Sequence, residues 1–130
     1  MQVNVYSLKK DGNLSLSKNF KVKEFKCKDG SDVIFVSPEL IDILQKVRDH
    51  FKRPVKINSG YRTPPYNKKV GGAFYSQHQY GTAADIYVTG VSPFRVADYL
   101  ENLLPGTGGI GRYKNFTHVD VRKVKSRWIG

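Results

Sequence analysis

The chain is poor in the residues that staple or anchor a protein: 130 residues hold one cysteine, one methionine and one tryptophan. A single cysteine excludes an internal disulfide, and with no histidine or second cysteine beside it Cys27 is expected as a small buried residue. Long apolar runs are missing as well, since nothing approaches the roughly eighteen residues that crossing a membrane requires. The opening Met1-Gln2-Val3-Asn4-Val5-Tyr6-Ser7 lacks the basic and then apolar segments of a secretory signal, so export by that route is not expected. Acidic residues are scarce: 11 against 22 Lys and Arg leave a formal charge of +11, which favours polyanionic partners. The basic residues stand in scattered pairs such as Lys9-Lys10, Lys68-Lys69 and Arg122-Lys123, with no recognition-helix or RNA-binding signature, so nucleic acid is a disfavoured partner. Gly108-Gly109-Ile110-Gly111 lacks the Gly-x-Gly-x-x-Gly order of a nucleotide loop and reads as flexible backbone able to approach a site closely.

What is present suits one domain over residues 1–130. Alternation in Val3–Leu8 and Leu14–Ser17, around a turn at Lys10–Asn13, predicts a peripheral hairpin over 1–18. A helix is expected from the cap Ser37 and Pro38, with Leu40, Leu44, Val47 and Phe51 as its buried stripe and His50 as a structural residue near its C-terminus. Val55–Asn58 alternates as a strand that delivers Ser59-Gly60-Tyr61-Arg62. A second helix begins at Ser92-Pro93, carries Val96, Ala97, Leu100 and Leu104 on one stripe, and ends at Pro105-Gly106. The order of elements predicts an α+β fold: a small antiparallel or mixed sheet with helices packed on its other side.

The chemistry gathers in Ser76-Gln77-His78-Gln79-Tyr80-Gly81-Thr82-Ala83-Ala84-Asp85. An imidazole and a carboxylate stand seven positions apart, and the β-branched and aromatic run Ile86-Tyr87-Val88 places Asp85 on a strand, with His78 on the loop that feeds it. In Phe116–Arg122, alternation puts Thr117, Val119 and Val121 on one strand face and His118, Asp120 and Arg122 on the other. Two such strands in one sheet would aim Asp85 and His118 at the same point. Two histidines and a carboxylate leave one position of a tetrahedral zinc open, as a catalytic site requires. On spacing alone, the histidines read equally well as satisfied polar residues.

The pattern Ser76-x-His78-x-x-Gly81-x-Ala83-x-Asp85, with Ser59-Gly60-Tyr61-Arg62-Thr63 before it and Gly108-Gly109-Ile110-Gly111 and His118-Val119-Asp120 after it, resembles the M15 family of zinc peptidases. The likeness is greatest to the short M15_3 branch, over roughly residues 19 to 123. That family includes D-Ala-D-Ala carboxypeptidases and dipeptidases and phage L-alanyl-D-glutamate endolysins. The resemblance implies the fold type of D-Ala-D-Ala peptidases and the Hedgehog signalling domain, with one zinc per chain on His78, Asp85 and His118. It also implies that Arg62 faces the substrate, as an oxyanion donor or a grip on a carboxylate, and that Ser76 lies beside the substrate. The expected substrate is a peptidoglycan stem peptide, with anionic wall polymers as the partner of the positive charge. Synthesis in the cytoplasm and action on the wall after release, as for a phage or prophage lysin, is the expected course. The sequence departs from the family where a Glu or Asp commonly stands three positions before the last ligand, because Asn115 is there. Phe116 likewise replaces the first histidine of the His-x-His found in some members. Asp120 is then either the general base or an acceptor that orients a ligand imidazole. The competing expectations are a non-catalytic zinc module that binds wall or protein and, on charge alone, a nucleic-acid-binding domain.

Overall fold

The computed structural model describes residues 2–130. Its N-terminal part holds strand β1 (Asn4–Ser7), a one-turn helix α1 (Leu8–Asp11) and the short strands β2 (Ser15–Ser17) and β3 (Phe20–Lys21). The expected hairpin over 1–18 does not form, and Met1, its first residue, lies outside the described residues. Instead β1 pairs antiparallel with β4 (Val33–Val36), and β2 pairs with β3. The cause is local. Ser7 caps the following turn by accepting from Lys10 N at 3.2 Å, so the chain winds into α1 where a reversal between paired strands was expected. Asp32 then accepts from the Ser7 hydroxyl at 2.7 Å and from Lys9 N at 2.8 Å, which draws the end of β1 to the start of β4.

Helix α2 (Pro38–Phe51) begins where Ser37-Pro38 predicts, and it buries Leu40, Ile41, Leu44 and Val47. The Ser37 hydroxyl makes no capping bond, however; it is buried without a hydrogen-bond partner among the described residues, so Pro38 and the Ser37 carbonyl start the helix. His50 stacks on Tyr99 at 3.8 Å between ring centroids, in keeping with a structural role. The stretch around Pro64-Pro65 and Asn67 is helical despite its two prolines. It forms helix α3 (Pro64–Lys69), since Thr63 caps it by accepting from Tyr66 N and proline is at home in a first turn. Helix α4 (Pro93–Leu103) has Ser92 as its cap and buries Val96, Ala97 and Leu100.

The sheet that positions the site has five strands: β5 (Val55–Ser59), β6 (Ala83–Val88), β7 (Gly109–Arg112), β8 (Thr117–Asp120) and β9 (Ser126–Ile129). Their order is β5-β6-β8-β7-β9, antiparallel throughout except for the parallel pair β7 and β9, so the sheet is mixed. One face presents Ala84, Ile86, Val88, Ile110 and Val119, all within the hydrophobic core that also takes in α2 and α4. Burying these apolar side chains is the dominant favourable term in holding the layers together, and it turns the polar alternates of β6 and β8 to the opposite face. No helix among the described residues is long and apolar enough to cross a membrane.

Candidate metal centre

One row of residues runs straight across the sheet. Ser59 on β5 is the register partner of Asp85 on β6, Asp85 of His118 on β8, His118 of Gly111 on β7, and Gly111 of Trp128 on β9. Side chains directly opposite on neighbouring strands share a face and touch, so this register alone gathers the carboxylate and the second imidazole. Gly111 leaves the row open between His118 and Trp128. A Cβ there would run into the indole, and its absence lets the two rings come within 4.9 Å, centroid to centroid. In the next row Gly109 does the same for Asp120, whose carboxylate fills the space that a Cβ would take.

His78 reaches the group from a 3₁₀ turn, Gln77–Tyr80, which ends at Gly81 in the left-handed region with φ +73°. Ser76 caps that turn by accepting from His78 N at 3.3 Å. His78, Asp85 and His118 are all buried, and one ligand atom from each lies within 4.8 Å of the other two. Asp85 Oδ1 meets His78 Nε2 at 3.2 Å and His118 Nδ1 at 2.9 Å. The far nitrogen of each ring is anchored. His78 Nδ1 donates to the Gly60 carbonyl at 2.8 Å, which fixes the tautomer, because a carbonyl can only accept. His118 Nε2 donates to Asp120 Oδ2 at 2.8 Å. In their neutral forms both imidazoles therefore aim a lone pair at the space beside Asp85. Metal-ligating histidines have this arrangement, one nitrogen for the ion and the other for a protein acceptor.

Two arginines brace the carboxylates. Arg62 donates from Nε to Ser59 Oγ at 3.0 Å, from Nη1 to Asn67 Oδ1 at 3.2 Å and from Nη2 to Asp85 Oδ2 at 3.4 Å. Arg122 grips Asp120 with two parallel bonds, Nε to Oδ1 at 2.8 Å and Nη2 to Oδ2 at 2.7 Å, while its guanidinium lies 5.4 Å from the centre of the Trp128 ring. Asp120 also accepts from Gly109 N and Arg122 N, and it is wholly buried.

The Peptidase M15 family model of the M15_3 type matches residues 17–120. The chain belongs to the M15 peptidase family. Among curated proteins none matches it. The buried His78, Asp85 and His118 thus form the candidate metal site of an M15 metallopeptidase, carried on an α+β fold of the expected kind.

In this M15 site burial and hydrogen bonding oppose each other at every titratable group with a resolved shift. Burial pushes the Asp85 carboxyl up, but its contacts with the His118 and His78 rings outweigh this and hold the group below the usual carboxylate range. Asp120 follows the same pattern, with burial opposed by the bonds from His118 and Arg122. Burial pushes His118 down, and its bonds to Asp120 and Asp85 overcome this and raise it above the ordinary 6.5.

Of the residues singled out in the sequence, His78, Asp85, His118, Arg62 and Asp120 come together, and Ser76 lies at the start of the turn that carries His78. Asn115, by contrast, is exposed in the loop between β7 and β8. The sequence reading missed Asn67, Gly60, Arg122 and Trp128 as parts of the site. Alternation along Phe116–Arg122 already put Arg122 on the face of His118. Nothing in the sequence points to the Gly60 carbonyl or to β9, which Arg127 pins in place through Glu101 and the carbonyls of Leu104 and Gly108.

Proposed function

We propose that this M15 metallopeptidase holds one zinc ion per chain on His78, Asp85 and His118 and hydrolyses a bond of the peptidoglycan stem peptide. The bond is of the D,D-carboxypeptidase or the L-alanyl-D-glutamate endopeptidase type. The observation that carries the reading is the double anchoring of the imidazoles, which leaves two nitrogen lone pairs and one carboxylate oxygen facing a common point. Two imidazoles and one carboxylate suit zinc and leave it an open position. Zinc bound there supplies Lewis-acid polarisation of a peptide carbonyl and of water.

The protein's own residues do the rest. Arg62 keeps Asp85 in place through Nη2 and is fixed at three points, so its remaining N–H groups stand ready beside the centre for a developing oxyanion or a substrate carboxylate. Asp120 is wholly buried, saturated by donors and set behind His118, so it acts as a positioning residue that holds the ring and its tautomer. A base must face the substrate, and this carboxylate faces Arg122. Ser76 contributes by fixing the turn of His78. The +11 charge favours action at a wall rich in anionic polymers.

The test is incubation of zinc-loaded protein with purified wall. The expected result is release of new amino groups, with mass spectrometry of the muropeptides naming the bond. No release from a folded protein with zinc bound would overturn the reading.

A further inference from the structure

A cleft of about 790 Å3 runs along the outer side of α3 and the turn of His78. Its walls are Pro64, Pro65, Phe74, Tyr75 and Tyr80, with Lys68 and Gln79 among the polar groups. Phe74 is 82% exposed and Tyr75 75%, and the two rings stand edge to face at 4.8 Å. Neither belongs to the core. Large aromatic rings left in water beside rigid prolines form a contiguous apolar surface of the kind that marks a binding site.

One residue links the cleft to the surroundings of the metal centre. Asn67 lines it, is almost wholly buried, accepts from Arg62 and donates from Nδ2 to the Ala73 carbonyl at 2.8 Å. Gln79, next to the ligand His78, donates from Nε2 to the Phe74 carbonyl at 2.8 Å. The backbone just before and at Phe74 is thus held by Asn67, which also accepts from Arg62, and by Gln79, the neighbour of His78 in the chain. The cleft therefore lies against the turn that carries His78.

We propose that this cleft is a saccharide subsite that takes an N-acetylated pyranose of the glycan to which the stem peptide is attached; the inference rests on the peptidase reading above. The chemistry of the walls selects this occupant. A stem peptide offers methyl groups, carboxylates and amines, too little apolar surface to cover three aromatic rings and two prolines. A pyranose has flat C–H faces that pack on aromatic rings, and polar edges and acetamido groups that match Lys68 and Gln79. The rings project from the surface and enclose no hole shaped for a single side chain. The walls also carry no carboxylate to repel the peptide carboxylates of the substrate.

The test pairs two substrates and one direct binding measurement. Phe74→Ala/Tyr75→Ala removes only exposed rings, so the thermal midpoint should be unchanged. KM for the disaccharide-bearing muropeptide should rise about 10-fold. Kinetics on the free stem peptide of the same sequence should stay within about twofold of the unsubstituted protein. In parallel, the peptide-free disaccharide N-acetylglucosaminyl-N-acetylmuramic acid, at millimolar concentration, should shift the amide NMR signals of residues 72–80 in the metal-free protein and not in the double variant. Equal losses on both substrates would assign the cleft to peptide and overturn the inference, as would a disaccharide that shifts nothing. Should the disaccharide bind while neither substrate is cleaved, the subsite stands and the peptidase reading fails.

Discussion

Asp120→Asn preserves the shape of a buried side chain and breaks its logic. Asp120 receives five donors: His118 Nε2 and Arg122 Nη2 on Oδ2, and Gly109 N, Arg122 N and Arg122 Nε on Oδ1. An asparagine must turn its amino group to one of these two sets. Facing the Oδ1 set it would oppose three donors and unseat the chain after β8, so it should face the smaller set. There it meets His118 Nε2 as a donor, and the ring can bond only by moving its proton to Nδ1, the nitrogen aimed at the metal. Zinc affinity should therefore fall about 10- to 100-fold, the usual loss when the acceptor behind a ligand histidine is removed. Stability should fall by about 1–3 kcal/mol, because a charge-assisted pair with Arg122 is weakened while Arg122 keeps partial access to water. Competition against a chelating zinc indicator reads the affinity, and muropeptide turnover with increasing zinc reads the function. Saturating zinc should restore most of the activity. A drop of about 10² to 10⁴-fold that zinc does not relieve, with affinity unchanged, would make Asp120 the base and refute the reasoning.

Metal analysis after reconstitution should give about one zinc per chain, and His78→Ala should lose tight binding because only two ligands remain. Arg62→Lys keeps the charge but loses the planar fork that meets three acceptors from three nitrogens; turnover should fall about 10²-fold with zinc content retained, and activity within twofold of the unsubstituted protein would deny Arg62 a role. Without metal, stability should depend on pH from both sides. Asp85 and Asp120 are held below the ordinary range, so their contribution is complete above about 3.9 and is lost as pH falls below it. His118 is raised, so its contribution is complete below about 6.5 and is lost as pH climbs through the folded value. The thermal midpoint of the metal-free protein should peak between about pH 4 and 6.5, and a midpoint still climbing from about pH 6.5 to 8 would contradict the upward shift of His118. Binding to whole wall should weaken steeply with salt while turnover of a short muropeptide changes far less, since +11 acts mainly at long range; equal sensitivity would place the decisive charges inside the site.

The strands and helices written in periodic side chains were legible. Thr117–Arg122 alternates, and Ser37-Pro38 and Ser92-Pro93 each start a helix where expected. The glycine strand β7 was not legible, because glycine disfavours strands by propensity and reads as a loop. Its value lies in what it leaves empty for Asp120 and Trp128, and that depends on neighbours far away in sequence. The pairing of β1 with β4 was hidden for a similar reason: alternation shows that a strand exists and is silent about its partner. At the site, residue types that ligate metals stand out in any sequence. Asn67 and the Gly60 carbonyl do not, since an amide and a backbone oxygen acquire meaning only from where the fold puts them. Asp120 stands on the strand face that alternation predicts, but that it meets the far nitrogen of His118 depends on the fold.

The pairing of Asp85 with His118 across β6 and β8 also bears on how the protein folds in time. His78 and Asp85 are near neighbours along the chain, whereas His118 arrives only when β8 docks, and a slip of one residue would turn its ring to the opposite side of the sheet. A cation with three ligands therefore exists only in the correctly registered sheet, and it cannot guide the early steps that bring the strands together. Its stabilisation falls on the native state and not on the barrier. Zinc should leave the rate of folding almost unchanged and slow the rate of unfolding, so that the ion acts as a latch on a register the apolar core has already chosen.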